Sequence, residues 1–232
     1  MFHVKRPVVL PVQVAAQAAF GARYPLAERY AALLAGSGVD RGLIGPREAD
    51  RLWERHLLNC AVLGELVPEG AQVLDVGSGA GLPGIPLALA RPDLSVVLLE
   101  PMARRVEWLQ EVLAVLGLAV SVHRGRAEDP GVRDERGGND VVIARAVAPL
   151  GRLAGWSLPL VAPGGRLLAV KGASAEQELA RDRDAVRRVG GAAAEIVQCG
   201  ATMVRPPTTV VVVSRLTQRV ARPATARSRK DR

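Results

Sequence analysis

The sequence predicts an α/β fold: a doubly wound parallel sheet with a final antiparallel hairpin strand, preceded by a helical extension. Three observations carry this. From residue 71 onward, short apolar strands alternate with amphipathic helices, as βαβ units require. A glycine loop, Gly77-Ser78-Gly79-Ala80-Gly81, leaves the first strand and opens a helix. The last two strand patterns are joined by residues 200–207 alone, too few for a crossover helix, so they pair antiparallel.

The elements follow in order. Residues 11–35 and 46–67 read as two helices separated by the turn-rich stretch 36–45, with Pro46 in a first helical turn. In the second, Leu52, His56, Cys60 and Leu63 share one face. Residues 71–75 form a short strand ending in Asp75, and a helix covers 84–90 after the loop. Residues 95–99 form a second strand, ending at Glu100. Met102, Val106, Leu109, Leu113 and Leu116 then recur at helical spacing until Gly117 stops the helix. Strands at 120–123 and 140–144 follow, then a short helix over 150–160. The turn Pro163-Gly164-Gly165 leads into a strand at 166–170, and a helix covers 175–189. Strands near 194–198 and 208–214 close the chain. Domain boundaries fall at 1–70 for the extension, 71–214 for the sheet domain and 215–232 for a tail.

With 49% apolar but 3% aromatic residues, the core rests on Leu, Val and Ala, which suits a helix-covered parallel sheet. The net charge of +8 is uneven: residues 215–232 hold six Arg and one Lys against one Asp, or +6. That tail reads as disordered. It either aids solubility or binds a polyanion by neutralising phosphates. Cys60 and Cys199 make neither a metal spacing nor a disulfide framework, which fits a reducing cytoplasm and no metal site. Lys5-Arg6 and the uncharged run after it imitate a secretory signal. Pro7, Pro11, Gln13 and Gln17 interrupt that run, so it is neither a leader nor a membrane span.

The glycine loop lets the backbone approach a ligand closely, with helix N–H groups behind it. Asp75, two residues before Gly77, can attract an ammonium directly or through water. Both features suit S-adenosylmethionine. Gly79 to Gly84 also matches G-x-G-x-x-G, the dinucleotide fingerprint, and Glu100 could hold ribose hydroxyls in either case. The closing hairpin and Asp75 favour a Rossmann-like methyltransferase sheet. Gly125-Arg126-Ala127-Glu128 follows the third strand, where an adenine would sit over the crevice. Arg145 and Lys171 leave adjacent strands at their carboxyl ends, two cations suited to a phosphate-rich substrate.

Taken together, these segments resemble the RsmG family, also called glucose-inhibited division protein B. The residues carrying the resemblance are Arg55-His56-Leu57, the stretch from Val73 through the loop to Leu87, Arg126-Ala127-Glu128, Ala144 to Leu150, and Lys171-Gly172. Leu82, Pro83 and Pro86 are its most specific part. The resemblance implies methylation of N7 of a guanine in the 530 loop of 16S ribosomal RNA, from S-adenosylmethionine. It also implies a cytoplasmic bacterial protein whose loss is linked to low-level streptomycin resistance. Gly77, Leu82, Ala127, Glu128 and Arg145 fall where the family contacts its cofactor, with Glu100 as the matching ribose ligand. Asp75, Gly79 and Gly81 complete the loop. Asn59-Cys60 stands where the family often has Asp-Ser, a departure that leaves any carboxylate role there unsupported.

Guanine N7 carries a lone pair and no proton, so alignment rather than a general base is needed. Arg145 and Lys171 are the candidates to position the N7 and O6 edge. Trp53, between Arg51 and Arg55, is the candidate RNA-facing aromatic, and Trp108 reads as core. The expected partner is 16S RNA or the small subunit, the expected state a monomer.

Overall fold

The computed structural model describes residues 10–217. Its strands are β1 (Gln72–Val76), β2 (Ser95–Glu100), β3 (Ser121–Arg124), β4 (Asn139–Arg145), β5 (Val161–Lys171), β6 (Gly191–Cys199) and β7 (Thr208–Arg215). They form one sheet in the order β3-β2-β1-β4-β5-β7-β6. The first five run parallel. β7 inserts antiparallel between β5 and β6. The closing pair is therefore the antiparallel hairpin read from the short connection. Residues 218–232, most of the basic tail, and the signal-like Lys5-Arg6 lie outside the described residues. Arg215, expected to begin the tail, ends β7.

Successive strand residues point to opposite faces of the sheet, so each face needs its own cover. Val73, Val96, Leu98, Val141 and Ile143 join one buried cluster with α1 (Val12–Phe20), α2 (Tyr24–Leu33), α4 (Gly84–Ala90) and α5 (Ala103–Leu116). That cluster also holds Leu57 and Leu58, where the four-residue α3 (Leu58–Ala61) begins. Leu74, Leu99, Val142, Leu167 and Val211 join a second with α6 (Pro130–Arg136), α7 (Leu150–Ser157) and α8 (Ala175–Arg188). Each fully buried Leu or Val stabilises the fold by about 1.5–3 kcal/mol.

Several elements differ from the sequence expectation, and α6 has no counterpart in it. The helix expected over 11–35 breaks after α1 at Gly21, whose φ is +49°, and restarts as α2 after a 3₁₀ turn. Pro25 lies in the first turn of α2; its ring and missing N–H forbid a continuous helix. The helix expected over 46–67 is a succession: a 3₁₀ stretch Pro46–Arg51, a π turn Trp53–Leu57, α3, and a 3₁₀ stretch Val62–Leu66. Leu52, His56, Cys60 and Leu63 are nonetheless all buried. β5 starts at Val161, with the turn at 163–165 inside it: a register irregularity against β4 leaves that turn as a bulge.

Candidate active site

The loop after β1 is held from every side. Gly77, Gly79 and Gly81 have φ of +73°, +58° and +100°. At Gly81 a Cβ would lie 2.4 Å from Ile85 Cδ1 and 2.9 Å from the Tyr30 hydroxyl, so only glycine fits. The Tyr30 hydroxyl donates to the Ala80 carbonyl at 2.9 Å, and Trp108 Nε1 donates to the same oxygen at 3.2 Å. Trp108 is core, as expected.

Asp75 lies beneath the loop, fully buried, and its Oδ2 accepts the Gly84 N–H at 2.9 Å. Its Oδ1 has no hydrogen-bond partner. Burial, opposed by the Gly84 N–H and the Ser78 side chain and reinforced by nearby Glu100, lifts this carboxyl from 3.8 to about 7. Glu100 at the end of β2 is 1% exposed. It accepts from Gly79 N at 2.9 Å and from Met102 N at 3.0 Å.

A cleft of about 240 Å³ opens above the carboxyl ends of β1 and β2. Leu99, Pro101, Ala127, Val147 and Trp156 wall it, with Gly77, Arg126 and Glu128 also on its lining. Of the residues expected at the cofactor, Gly77, Ala127 and Glu128 line this cleft. Asp75, Gly79, Gly81, Leu82 and Glu100 shape the loop beside it instead, and Arg145, also expected at the cofactor, lines the neighbouring larger cleft. Val76 and Leu99 line the cleft from the sheet, so the apolar wall comes from strand ends.

A larger cleft of about 810 Å³ lies at the ends of β4, β5 and β7. Arg145 and Lys171 both line it, with Arg51, Arg55, Asn59 and Thr208. The turn after β4 divides the two clefts: Ala146, with a φ of +56°, lines the larger one and Val147 the smaller. That turn is tied down on both flanks. Arg145 donates through Nη1 to Cys60 Sγ at 3.2 Å and through Nη2 to His56 Nδ1. A guanidinium only donates, so Nδ1 accepts and the His56 proton sits on Nε2, which donates to Glu48 at 2.8 Å. Burial and then the Arg145 charge hold His56 below its ordinary range. On the other flank, Lys171 Nζ donates to Ala148 O and to Glu178 Oε2, each at 2.8 Å. Glu178 Oε2 also accepts the Leu150 N–H at 3.0 Å, where α7 begins.

Lys171 is therefore mainly a brace for the turn, with two of its three donors committed. Trp53, the candidate RNA-facing ring, stacks on Tyr24 at 5.7 Å and meets Phe20 edge-on at 6.2 Å. Its aromatic neighbours occupy it because α1 and α2 fold back onto that turn. Tyr30, Glu48, Trp156 and Glu178 have places here that the sequence reading did not assign. Among them, Glu178 carries a local signal, one helical turn after Ser174, whose hydroxyl it accepts. Among the described residues, no helix is long and apolar enough to cross a membrane, and no group of three His, Cys, Asp or Glu is arranged to hold a metal.

A parallel sheet closed by an inserted antiparallel strand, with a glycine loop after β1 beside a cleft at the strand ends, defines a Rossmann-like methyltransferase. Solved methyltransferases share the architecture. The S-adenosylmethionine-dependent methyltransferase SibL in its apo form superposes with a TM-score of 0.56 at 21% identity; the match covers 74% of this chain and 57% of that one. A methyltransferase from Methanococcus maripaludis gives 0.54 at 16% identity, over 71% of this chain and 86% of that one. Residues 23–206 match the family described as rRNA small subunit methyltransferase G, and the chain belongs to that family. A relative of that name from Rhodococcus jostii is 56% identical over 94% of this chain and 98% of its own. Another, from Mycobacterium marinum, is 58% identical over 88% of this chain and 90% of its own.

Proposed function

We propose that this protein transfers a methyl group from S-adenosylmethionine to N7 of a guanine in the 530 loop of 16S ribosomal RNA. The observation that carries the reading is the pair of clefts meeting at Ala146 and Val147, one apolar beside a glycine loop, the other lined by cations. Family membership supports the ribosomal RNA substrate. The chemistry of guanine N7 and the Arg145 guanidinium support the choice of atom.

The residues present fit the cofactor. Asp75 Oδ1 is a buried acceptor lacking a partner, and a cation near the loop complements it. Gly77 leaves a space that a Cβ would close, since that atom would lie 2.9 Å from Val147 Cγ2. Leu99, Ala127, Val147 and Trp156 would hold the adenine, with Glu128 at its amino edge. Glu100 would accept ribose hydroxyls, because each of its oxygens keeps a further lone pair. Gly79, Gly81 and Leu82 set the course of the loop past the amino-acid moiety. When bound, the cofactor supplies an electrophilic methyl carbon on a sulfonium.

Guanine N7 needs no deprotonation, so the protein's work is alignment and exclusion of water. Arg145, at the junction of the clefts, would donate to guanine O6, which leaves the N7 lone pair free to attack the methyl carbon. Lys171 keeps the dividing turn in place and offers its remaining donor to the larger cleft. The reading makes the protein a cytoplasmic monomer whose loss confers low-level streptomycin resistance. The test is radiolabel transfer from S-adenosylmethionine to 16S RNA or small subunits, with the modified guanine mapped by strand cleavage. No transfer to either overturns the reading, and a label mapping elsewhere overturns the site.

A further inference from the structure

We propose that His56, backed by Glu48, is a positioning residue: it holds the Arg145 guanidinium at the junction of the two clefts, and does so only while its imidazole is neutral. The proposal rests on the reading above that Arg145 faces the reacting base.

The wiring is directional. Glu48 Oε2 accepts a hydrogen bond from Nε2–H at 2.8 Å, which leaves Nδ1 as an acceptor facing Arg145. Glu48 is itself steadied by Arg55, whose Nη1 donates to Oε1 at 3.0 Å. His56 and Arg145 are 89 residues apart in the chain, so the contact exists only because the π turn Trp53–Leu57 packs against the end of β4. π turns are often found where a helix presents a functional group. The side chain is 11% exposed, so water cannot readily replace either partner.

The charged and titratable groups around the ring come from every element packed on it. Glu48 lies on Pro46–Arg51, Arg55 on the same turn as His56, Arg145 on β4, Cys60 on α3 and Tyr30 on α2. α1 carries no titratable side chain. Burial, Arg145 and Arg55 oppose protonation of the ring, and Glu48 favours it; the net direction is downward. Cys60 and Tyr30 are both pushed up by burial and stay neutral. Protonation would put an N–H on Nδ1, facing the N–H groups of Arg145 with like charge. The two must then separate, and Arg145 leaves its place. Asp75, which the Arg145 charge also reaches, titrates near 7 and also shapes the pH profile of activity. A readout confined to His56 is therefore needed.

Nitrogen NMR of the full chain supplies it. In the wild type the His56 Nδ1 resonance is that of an unprotonated nitrogen at pH 7, and it titrates below the free-histidine midpoint. In Arg145→Ala the midpoint rises. A midpoint unmoved by Arg145→Ala overturns the proposal. Kinetics form the second arm. His56→Phe lowers kcat/KM by about 10- to 100-fold in the wild type, the scale of a misplaced group, and lowers it no further in Arg145→Ala. Multiplicative losses would overturn the proposal. His56→Asn keeps an acceptor near the Nδ1 position, so it recovers part of the lost activity; recovery no better than that of His56→Phe counts against the proposal. If His56→Phe does not fold, the NMR titration and His56→Asn decide. If the wild type methylates no ribosomal RNA, the proposed function falls while the NMR arm still decides the His56–Arg145 coupling.

Discussion

Replacing Asp75 with Asn should flatten the pH dependence of stability. Asp75 is fully buried beneath the glycine loop, with one oxygen on the Gly84 N–H and the other without a partner. Its carboxyl titrates near 7 in the folded protein against 3.8 in the unfolded chain. The folded state therefore binds the proton more tightly. Below pH 3.8 both states are protonated and the group costs nothing. As pH rises from there to 7, the unfolded chain ionises freely while the folded one must hold a proton or bury a charge. Stability falls across that window, by about 1.4 kcal/mol per pH unit, or about 4 kcal/mol in all. That is a large share of the roughly 5–15 kcal/mol that holds a domain folded. Asn is neutral throughout and its carbonyl can still accept from Gly84. Urea unfolding of both proteins between pH 5 and 8 reads the effect: the wild type should lose about 3 kcal/mol relative to Asp75→Asn across that range. Stability curves that stay parallel would refute the reasoning, because they would mean that Asp75 is ionised and compensated in the fold. At pH 8 the variant should be the more stable of the two and the weaker binder of S-adenosylmethionine.

Tyr30→Phe removes one of two donors to the Ala80 carbonyl, and Trp108 keeps the other. With no acceptor left bare, the cost is about 1 kcal/mol and the melting temperature falls by about 2–4 °C; an unchanged melt would show that the bond contributes nothing. Lys171→Met breaks a pair whose side chains are 10% and 17% exposed, leaving Glu178 with Leu150 N and Ser174. It should cost about 1–3 kcal/mol and lower kcat more than it weakens cofactor binding, since the dividing turn loses a brace. A pure rise in the Michaelis constant for RNA would instead make Lys171 a substrate contact. Trp156→Ala removes a wall of the smaller cleft and should weaken S-adenosylmethionine binding about tenfold by calorimetry. Unchanged affinity would place the adenine elsewhere.

The strands and most helices were legible because their signals are local. The period-two and period-3.6 patterns of Leu, Val and Ala mark every strand but β5, and α4, α5 and α8, within a residue or a few at each end. Gly117 stops α5 as its position predicts, left-handed with a φ of +62°. The differences at 11–35 and 161–165 have local causes: Gly21 and Pro25 break the first helix, and a bulge sits inside β5 at 163–165. The glycine loop and the family resemblance were equally plain, since both are runs of neighbouring residues.

What the sequence by itself determined is the set of elements, the loop and the family they compose, all written in spacings of a few residues. Only the tertiary structure decided what each polar group does. It turned Asp75 under the loop, brought Tyr30 and Trp108 together on the Ala80 carbonyl, committed Lys171 to Ala148 and Glu178, and set His56 against Arg145. Hydrogen-bond partners and desolvation depend on distance through space, and the sheet order β3-β2-β1-β4-β5-β7-β6 sets those distances. No spacing along the chain encodes a contact between residues 50 or 89 positions apart.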